Sequence, residues 1–167
     1  MKTLIIGLGN PILSDDGIGV LIAREVERKI EKSGREQPVA VIEAGVGGLR
    51  LMELMEGYDR VILIDALEAV ADEEPGALHR LTLEDLRNIS PTLHSASAHD
   101  TNLITALNAG RQLGMNLPET VVIYAVSVRN VEDFGEKLTP RVAAAIPAAT
   151  SAILNELNFV EDSHDFS

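Results

Sequence analysis

The most constraining feature of the sequence is Val61-Ile62-Leu63-Ile64-Asp65, an apolar run that meets no polar residue until it closes on a carboxylate. A strand with one wet face alternates apolar and polar residues, whereas an uninterrupted run belongs to a strand covered on both faces, as in the interior of a parallel sheet. Its neighbours in sequence fit that setting. Residues 2–9 read as a first strand ending in glycine, followed by a turn-rich stretch over 10–16. Ile18, Leu21, Ile22, Val26 and Ile30 then recur at helical spacing with charged residues between them, so a helix is expected to about Lys32, stopping at Gly34. A second strand is expected over 39–43, a glycine-rich turn over 44–48 and a short helix over 49–55. The signal Pro75-Gly76 opens an outer strand over 75–83, and a polar loop covers 90–98. Leu103, Ile104, Leu107 and Leu113 mark a helix, followed by a strand over 120–126 and a last helix over 142–157.

Strands alternating with helices predict an α/β fold: a single domain with a twisted, mainly parallel sheet flanked by helices on both faces. A chain of 167 residues suits one core rather than two, so the domain is expected to span 1–160, with 161–167 a polar, acidic, frayed tail.

Composition narrows the chemistry. The absence of cysteine excludes disulfides, thiolate metal sites and a cysteine nucleophile, and makes the cytoplasm the expected compartment. A net charge of −12 repels phosphate backbones and anionic membrane surfaces, so nucleic acid and membrane are not expected as partners, while a basic protein segment remains compatible. No apolar stretch approaches the roughly 20 residues needed to cross a bilayer. The apolar run starting at Leu4 has one lysine before it and turn residues directly after it, which reads as a strand rather than a signal peptide.

Gly7-Leu8-Gly9-Asn10-Pro11 approaches a dinucleotide fingerprint, but the third glycine would fall at Ile12, so no organic cofactor is expected. Ser14-Asp15-Asp16-Gly17-Ile18-Gly19 places two carboxylates at the mouth of the first helix. One suffices to cap free backbone N–H groups; the second, Asp16, can address the crevice at the strand's carboxyl end, where open α/β sheets bind ligands. Asp65 closes an apolar strand, where a charge persists only with a partner or at a solvent-accessible site. Histidines stand at 79, 94, 99 and 164. His79, in the outer strand, and His164, in the tail, read as surface residues. His94 and His99 lie in the loop before a helix, and His99 is the stronger candidate, because a helix N-terminus favours the neutral, metal-binding ring. Two carboxylates and an imidazole make a mixed oxygen and nitrogen set for a divalent ion such as nickel or zinc. The sequence has no Gly-x-Ser-x-Gly elbow, His-Glu-x-x-His pair or Walker loop.

Taken in order, Gly7-Leu8-Gly9-Asn10-Pro11, Asp15-Asp16-Gly17-Ile18-Gly19, Glu43-Ala44-Gly45-Val46-Gly47-Gly48, Val61-Ile62-Leu63-Ile64-Asp65-Ala66 and His99 with Leu103 resemble the hydrogenase maturation endopeptidases. The resemblance covers nearly the whole chain. It implies a metal-contacting trio at Asp16, Asp65 and His99, with Asp16 and Asp65 the candidate catalytic carboxylates, and Asp or Glu found in relatives at the first position. It also implies that nickel arrives with the partner, the precursor of a nickel-iron hydrogenase large subunit, whose C-terminal extension is removed shortly after its last metal-binding cysteine motif. Glu43 stands where some relatives carry Asp and is expected to be a structural hydrogen-bond acceptor. Two further readings compete. One is a peptidyl-tRNA hydrolase, whose chains share the Gly-Leu-Gly-Asn-Pro opening but require a basic face; the other is a nickel carrier or sensor without cleavage. A monomer meeting its precursor transiently is the expected state.

Overall fold

The computed structural model describes residues 1–70, 72–89, 98–129 and 134–159, with backbone alone at 88–89 and 98–102. The expected tail and His94 lie outside these residues. The described chain forms a five-stranded sheet with strand order β2-β1-β3-β5-β4, comprising β1 (Thr3–Leu8), β2 (Val39–Ala44), β3 (Arg60–Glu68), β4 (Leu78–Thr82) and β5 (Thr120–Val128). The first three and β5 run parallel, and β4 closes the outer edge antiparallel to β5. The expected α/β architecture is therefore present, with β3 in the middle of the sheet as its apolar run requires.

The helices cover both faces. On one, α1 (Ile18–Ser33), α5 (Pro140–Ala143) and α6 (Ala145–Glu156) bury Ile22, Val26, Ala149 and Ile153 against Ile62, Ile64 and Tyr124. On the other, α2 (Gly48–Met55) and α4 (Ala98–Gln112), with α3 (Leu83–Ile89) beside them, bury Leu51, Met55, Leu103 and Leu107 against Leu4, Val61, Leu63 and Ile123. Alternate residues of β3 thus serve opposite cores, which is why the strand shows no polar gap. Among the described residues no helix is long and apolar enough to cross a membrane.

Several elements depart from the sequence reading: β5 runs to Val128 rather than 126, α4 starts at Ala98 and so takes in His99, expected in the loop before it, and three further departures have identifiable causes. The outer strand is shorter than 75–83 and gives way to α3, an element the apolar periodicity does not reveal. Its start is a reciprocal cap: Thr82 Oγ1 accepts from the Asp85 N–H at 3.1 Å, and Asp85 Oδ2 accepts from the Thr82 N–H at 2.7 Å. The spacing Thr82-x-x-Asp85 was the signal available. The last helix is two pieces starting earlier, at Pro140, with Thr139 in the N-cap position, and it breaks at Ala144. Pro147 lacks the N–H that would bond the carbonyl of Ala143, so the helix is interrupted there. Finally, β3 runs on to Glu68 because β5 continues beside it, pairing Ala66 with Val126 and Glu68 with Val128. Asp65 therefore lies inside the strand, not at its end.

The far end of α6 is fastened to the sheet by Glu156, which accepts from Arg80 Nη2 at 2.6 Å and Nε at 3.1 Å and from the Tyr124 hydroxyl. Arg80 holds the Glu156 carboxyl below the usual carboxylate range, against the opposing effect of burial. Burial, and then the hydrogen bond to Glu156, push the Tyr124 hydroxyl up to about 12.

Candidate active site

The carboxyl edge of the sheet is where the chain gathers its unusual residues, and Asp65 is its centre. Pairing of β1 with β3 ends at Gly7 and Ile64, so Asp65 is the first β3 residue beyond that pairing, while on its other side it remains level with Ala125 of β5. The strand order turns outward in opposite directions from β1 and β3, β2 lying on one side and β5 on the other. A crevice opens at such a reversal. By strand alternation Asp65 belongs to the face of Val61 and Leu63, beneath α2 and α4. Its side chain is only 5% exposed, and Oδ1 accepts from the Ala66 N–H at 2.8 Å.

Asp16 lies at the same edge of the sheet, in the turn that follows β1. After Leu8 the chain turns through Gly9, whose φ of 128° belongs to glycine, and a Cβ there would stand 2.0 Å from the carbonyl oxygen of Asp16. The tight turn folds Ser14–Gly17, a single turn of 3-10 helix, back over the strand end, where Asp16 Oδ2 accepts from the Asn10 N–H at 2.8 Å. Gly19 then brings α1 onto the sheet: a Cβ at this position would lie 2.3 Å from the Ile64 carbonyl oxygen and 2.4 Å from that of Leu8. The first turn of α1 is thus pressed on the carboxyl ends of both β1 and β3, with the half-buried Asp16 three residues upstream.

Asp15 has a different task. Neither it nor Asp16 caps α1, whose N-cap Gly17 has no side-chain bond. Asp15 is 1% exposed and accepts from the Thr139 N–H at 2.7 Å and the Thr139 hydroxyl at 2.8 Å, capping the start of α5 from 124 residues away. Capping was the right chemistry, at a helix the local sequence does not indicate.

The third member of the trio, His99, lies in the first turn of α4. The segment after α4 is held at the opposite, amino edge, where Asn116 O accepts from the Gly57 N–H at 2.9 Å and Asp59 O accepts from the Glu119 N–H at 3.2 Å. A helix of 15 residues, about 22 Å long, therefore runs with its start toward the carboxyl edge. The His99 side chain, like all of His94 and His164, is outside the described residues. Among those residues no group of three carboxylate or imidazole side chains is close enough to hold a metal ion. The two carboxylates by themselves offer hard oxygen donors and no thiolate, a set suited to completing the shell of an ion held mainly by another molecule.

The remaining candidates are partnered elsewhere. Glu43 on β2 forms a two-pronged pair with Arg24 of α1, at 2.6 and 2.9 Å, and this hydrogen bonding lowers its carboxyl below the usual range. That is the structural acceptor expected. His79, on the edge strand β4, has Nε2 against the Glu73 carboxylate and 3.1 Å from Ser127 Oγ.

With this geometry in view, the likeness to known proteins is extensive. The sequence profile described as hydrogenase maturation protease matches residues 20–156. The hydrogenase 2 maturation protease of Escherichia coli strain K12 is 29% identical over 159 residues, covering 94% of this chain and 91% of that protein. The solved structure of the hydrogenase maturating endopeptidase HybD from E. coli superposes with a TM-score of 0.76 at 27% identity, covering 95% of this chain and 93% of that one. The [NiFe] hydrogenase maturation protease HybD from Thermococcus kodakarensis gives a TM-score of 0.74 at 25% identity, covering 94% and 99%. These matches run the length of the fold and set aside the hydrolase of peptidyl-tRNA. The chain belongs to the hydrogenase maturation protease family, peptidases that act on the hydrogenase large subunit.

Proposed function

We propose that this protein removes the C-terminal extension from a nickel-loaded precursor of a nickel-iron hydrogenase large subunit, acting in the cytoplasm as a monomer. What supports this reading, beside the family, is that Asp16 after β1 and the buried Asp65 on β3 both stand at the carboxyl edge of neighbouring strands, where the strand order reverses. Nickel is part of the substrate. Precursor thiolates hold it, and Asp16, Asp65 and His99 meet it from the protease side, which positions the extension against the crevice. In the hydrolysis, a carboxylate of the pair accepts the proton of an attacking water as it adds to the scissile carbonyl, and the proton passes to the departing amine. The metal either polarises that carbonyl or serves as the sign of a finished precursor.

The experiment is incubation with nickel-loaded and metal-free precursor, with product masses read by mass spectrometry. The loaded form should lose a C-terminal peptide and the metal-free form should stay intact; equal trimming of both would overturn recognition of nickel. Asp65→Asn and His99→Ala should fold by circular dichroism yet process the precursor at least about 100-fold more slowly, Asp16→Glu should keep activity that Asp16→Ala loses, and His94→Ala should be close to neutral. Full activity in folded Asp65→Asn would remove that residue from the site. The purified protein should retain little nickel or zinc after dialysis against a chelator, and cleavage should survive serine and cysteine protease inhibitors.

A further inference from the structure

Among the described residues, Ile12 and Phe134 are large apolar side chains left in water, at 50% and 85% exposure. They are also next to each other by construction. The loop after β1 and the segment before α5 form a short parallel bridge at Leu13 and Gly135, closed by bonds from the Gly135 N–H to Ile12 O at 2.9 Å and from the Ser14 N–H to Gly135 O at 2.7 Å. Ser14 holds a left-handed φ of 45° to make this possible, and its hydroxyl donates to Lys137 O at 3.1 Å. The result is a ridge braced by its backbone, with two exposed apolar tips.

The ridge is continuous with the crevice, because Asn10, two residues before Ile12, donates its N–H to the Asp16 carboxylate. Leu49 at the start of α2, 62% exposed, and Val70 just beyond β3, 46% exposed, lie on the same edge. The same edge carries Glu68, Asp72, Glu73, Glu74 and Glu136 together with Arg50, Arg129, Lys137 and Arg141, with Glu74 paired to Arg141 and Glu73 to His79. A water-exposed apolar cluster rimmed by charge marks a surface that another molecule covers.

We propose that the ridge of Ile12 and Phe134 is the docking element for the hydrogenase large-subunit precursor, gripping apolar side chains of a segment whose flanking residues are basic. This rests on the proposed function, since a precursor whose scissile bond reaches Asp16 and Asp65 must cross this edge, and the partner's sign follows from the chain's net charge of −12. The ridge binds and positions; it takes no part in the bond cleavage.

The test measures two quantities on the full chain. In processing of nickel-loaded precursor, the double variant Ile12→Ala with Phe134→Ala should raise KM about 10-fold or more with kcat at saturation unchanged, and Phe134→Leu should restore most of the loss. Leu113→Ala, equally exposed but following α4 at the amino edge, should change neither. By calorimetry, independent of cleavage, binding of the same precursor should weaken by the same factor in the double variant, and wild-type binding should fall several-fold as salt is raised. Wild-type KM and binding in the double variant would overturn the proposal. So would a fall in kcat alone, binding indifferent to salt, or sedimentation showing that the double variant merely dissociates a dimer. A wild-type protein that binds the precursor through the ridge without cutting it would overturn the proposed function and leave the docking surface standing.

Discussion

Substituting Gly19 by alanine separates helix propensity from tertiary fit. On propensity alone, alanine near the start of α1 should stabilise the helix by at most about 1 kcal/mol. The structure reverses the sign. The added Cβ would lie 2.3 and 2.4 Å from the carbonyl oxygens of Ile64 and Leu8, both backbone atoms in the sheet. Neither can swing aside, so the first turn of α1 must lift from the strand ends. Overpacking of this kind costs about 3 kcal/mol, leaving a net loss of about 2 kcal/mol and a melting temperature lower by about 6 °C for a domain of this size. Because Asp16 precedes this turn, processing should fall further than stability does. Gly110→Ala is the internal control: its Cβ would meet Met52 Sδ at 2.5 Å and Leu117 Cδ1 at 2.7 Å, the far ends of flexible side chains that can move. That variant should stay within about 1 kcal/mol of wild type. Urea titration and thermal melting of both variants measure the difference. A Gly19→Ala protein as stable as wild type, or more so, would refute the argument that backbone contact at this glycine seats the helix.

The adjacent aspartates should separate cleanly in equilibrium unfolding: Asp15→Ala strips the buried partner from Thr139 and should cost about 1–3 kcal/mol, whereas Asp16→Ala loses a single bond to the exposed Asn10 and should cost less than about 1 kcal/mol. Glu156→Gln should destabilise by about 1–2 kcal/mol at neutral pH, less than a fully buried pair because Arg80 is half exposed and can rehydrate. Since the folded Glu156 carboxyl lies below its ordinary value of 4.5, its contribution is complete above that value and disappears as pH falls through the lowered one. The urea midpoints of wild type and Glu156→Gln should therefore converge in acid, and a constant gap across pH would show that the charge is not the cause.

Much of the fold is legible locally because each segment's pattern agrees with its burial. The apolar run of β3 announces a doubly covered strand, the spacing of Ile18, Ile22 and Val26 announces the buried face of α1, and Gly34 ends that helix in the left-handed conformation, with φ of 63°. What the local pattern misses has local causes too weak to stand out: a cap made of Thr82 and Asp85, and a helix broken by one missing N–H at Pro147.

The candidate site divides along the same line. By itself, the sequence determined that Asp65 is a carboxylate on an inner strand and that two aspartates stand before the first helix, because burial pattern and residue chemistry are properties of short segments. Tertiary structure alone decided that Asp15 serves the fold, since its partner is Thr139 and no spacing encodes a bond across 124 residues. It also decided that Asp65 lies within its strand, because strand length is set by the neighbour: β5 continues to Val128 while pairing with β1 stops at Ile64. Strand order then sets the segments carrying Asp16 and Asp65 beside each other at the carboxyl edge, and that order comes from which strands pair, a choice made by the whole core rather than by either aspartate's surroundings in sequence.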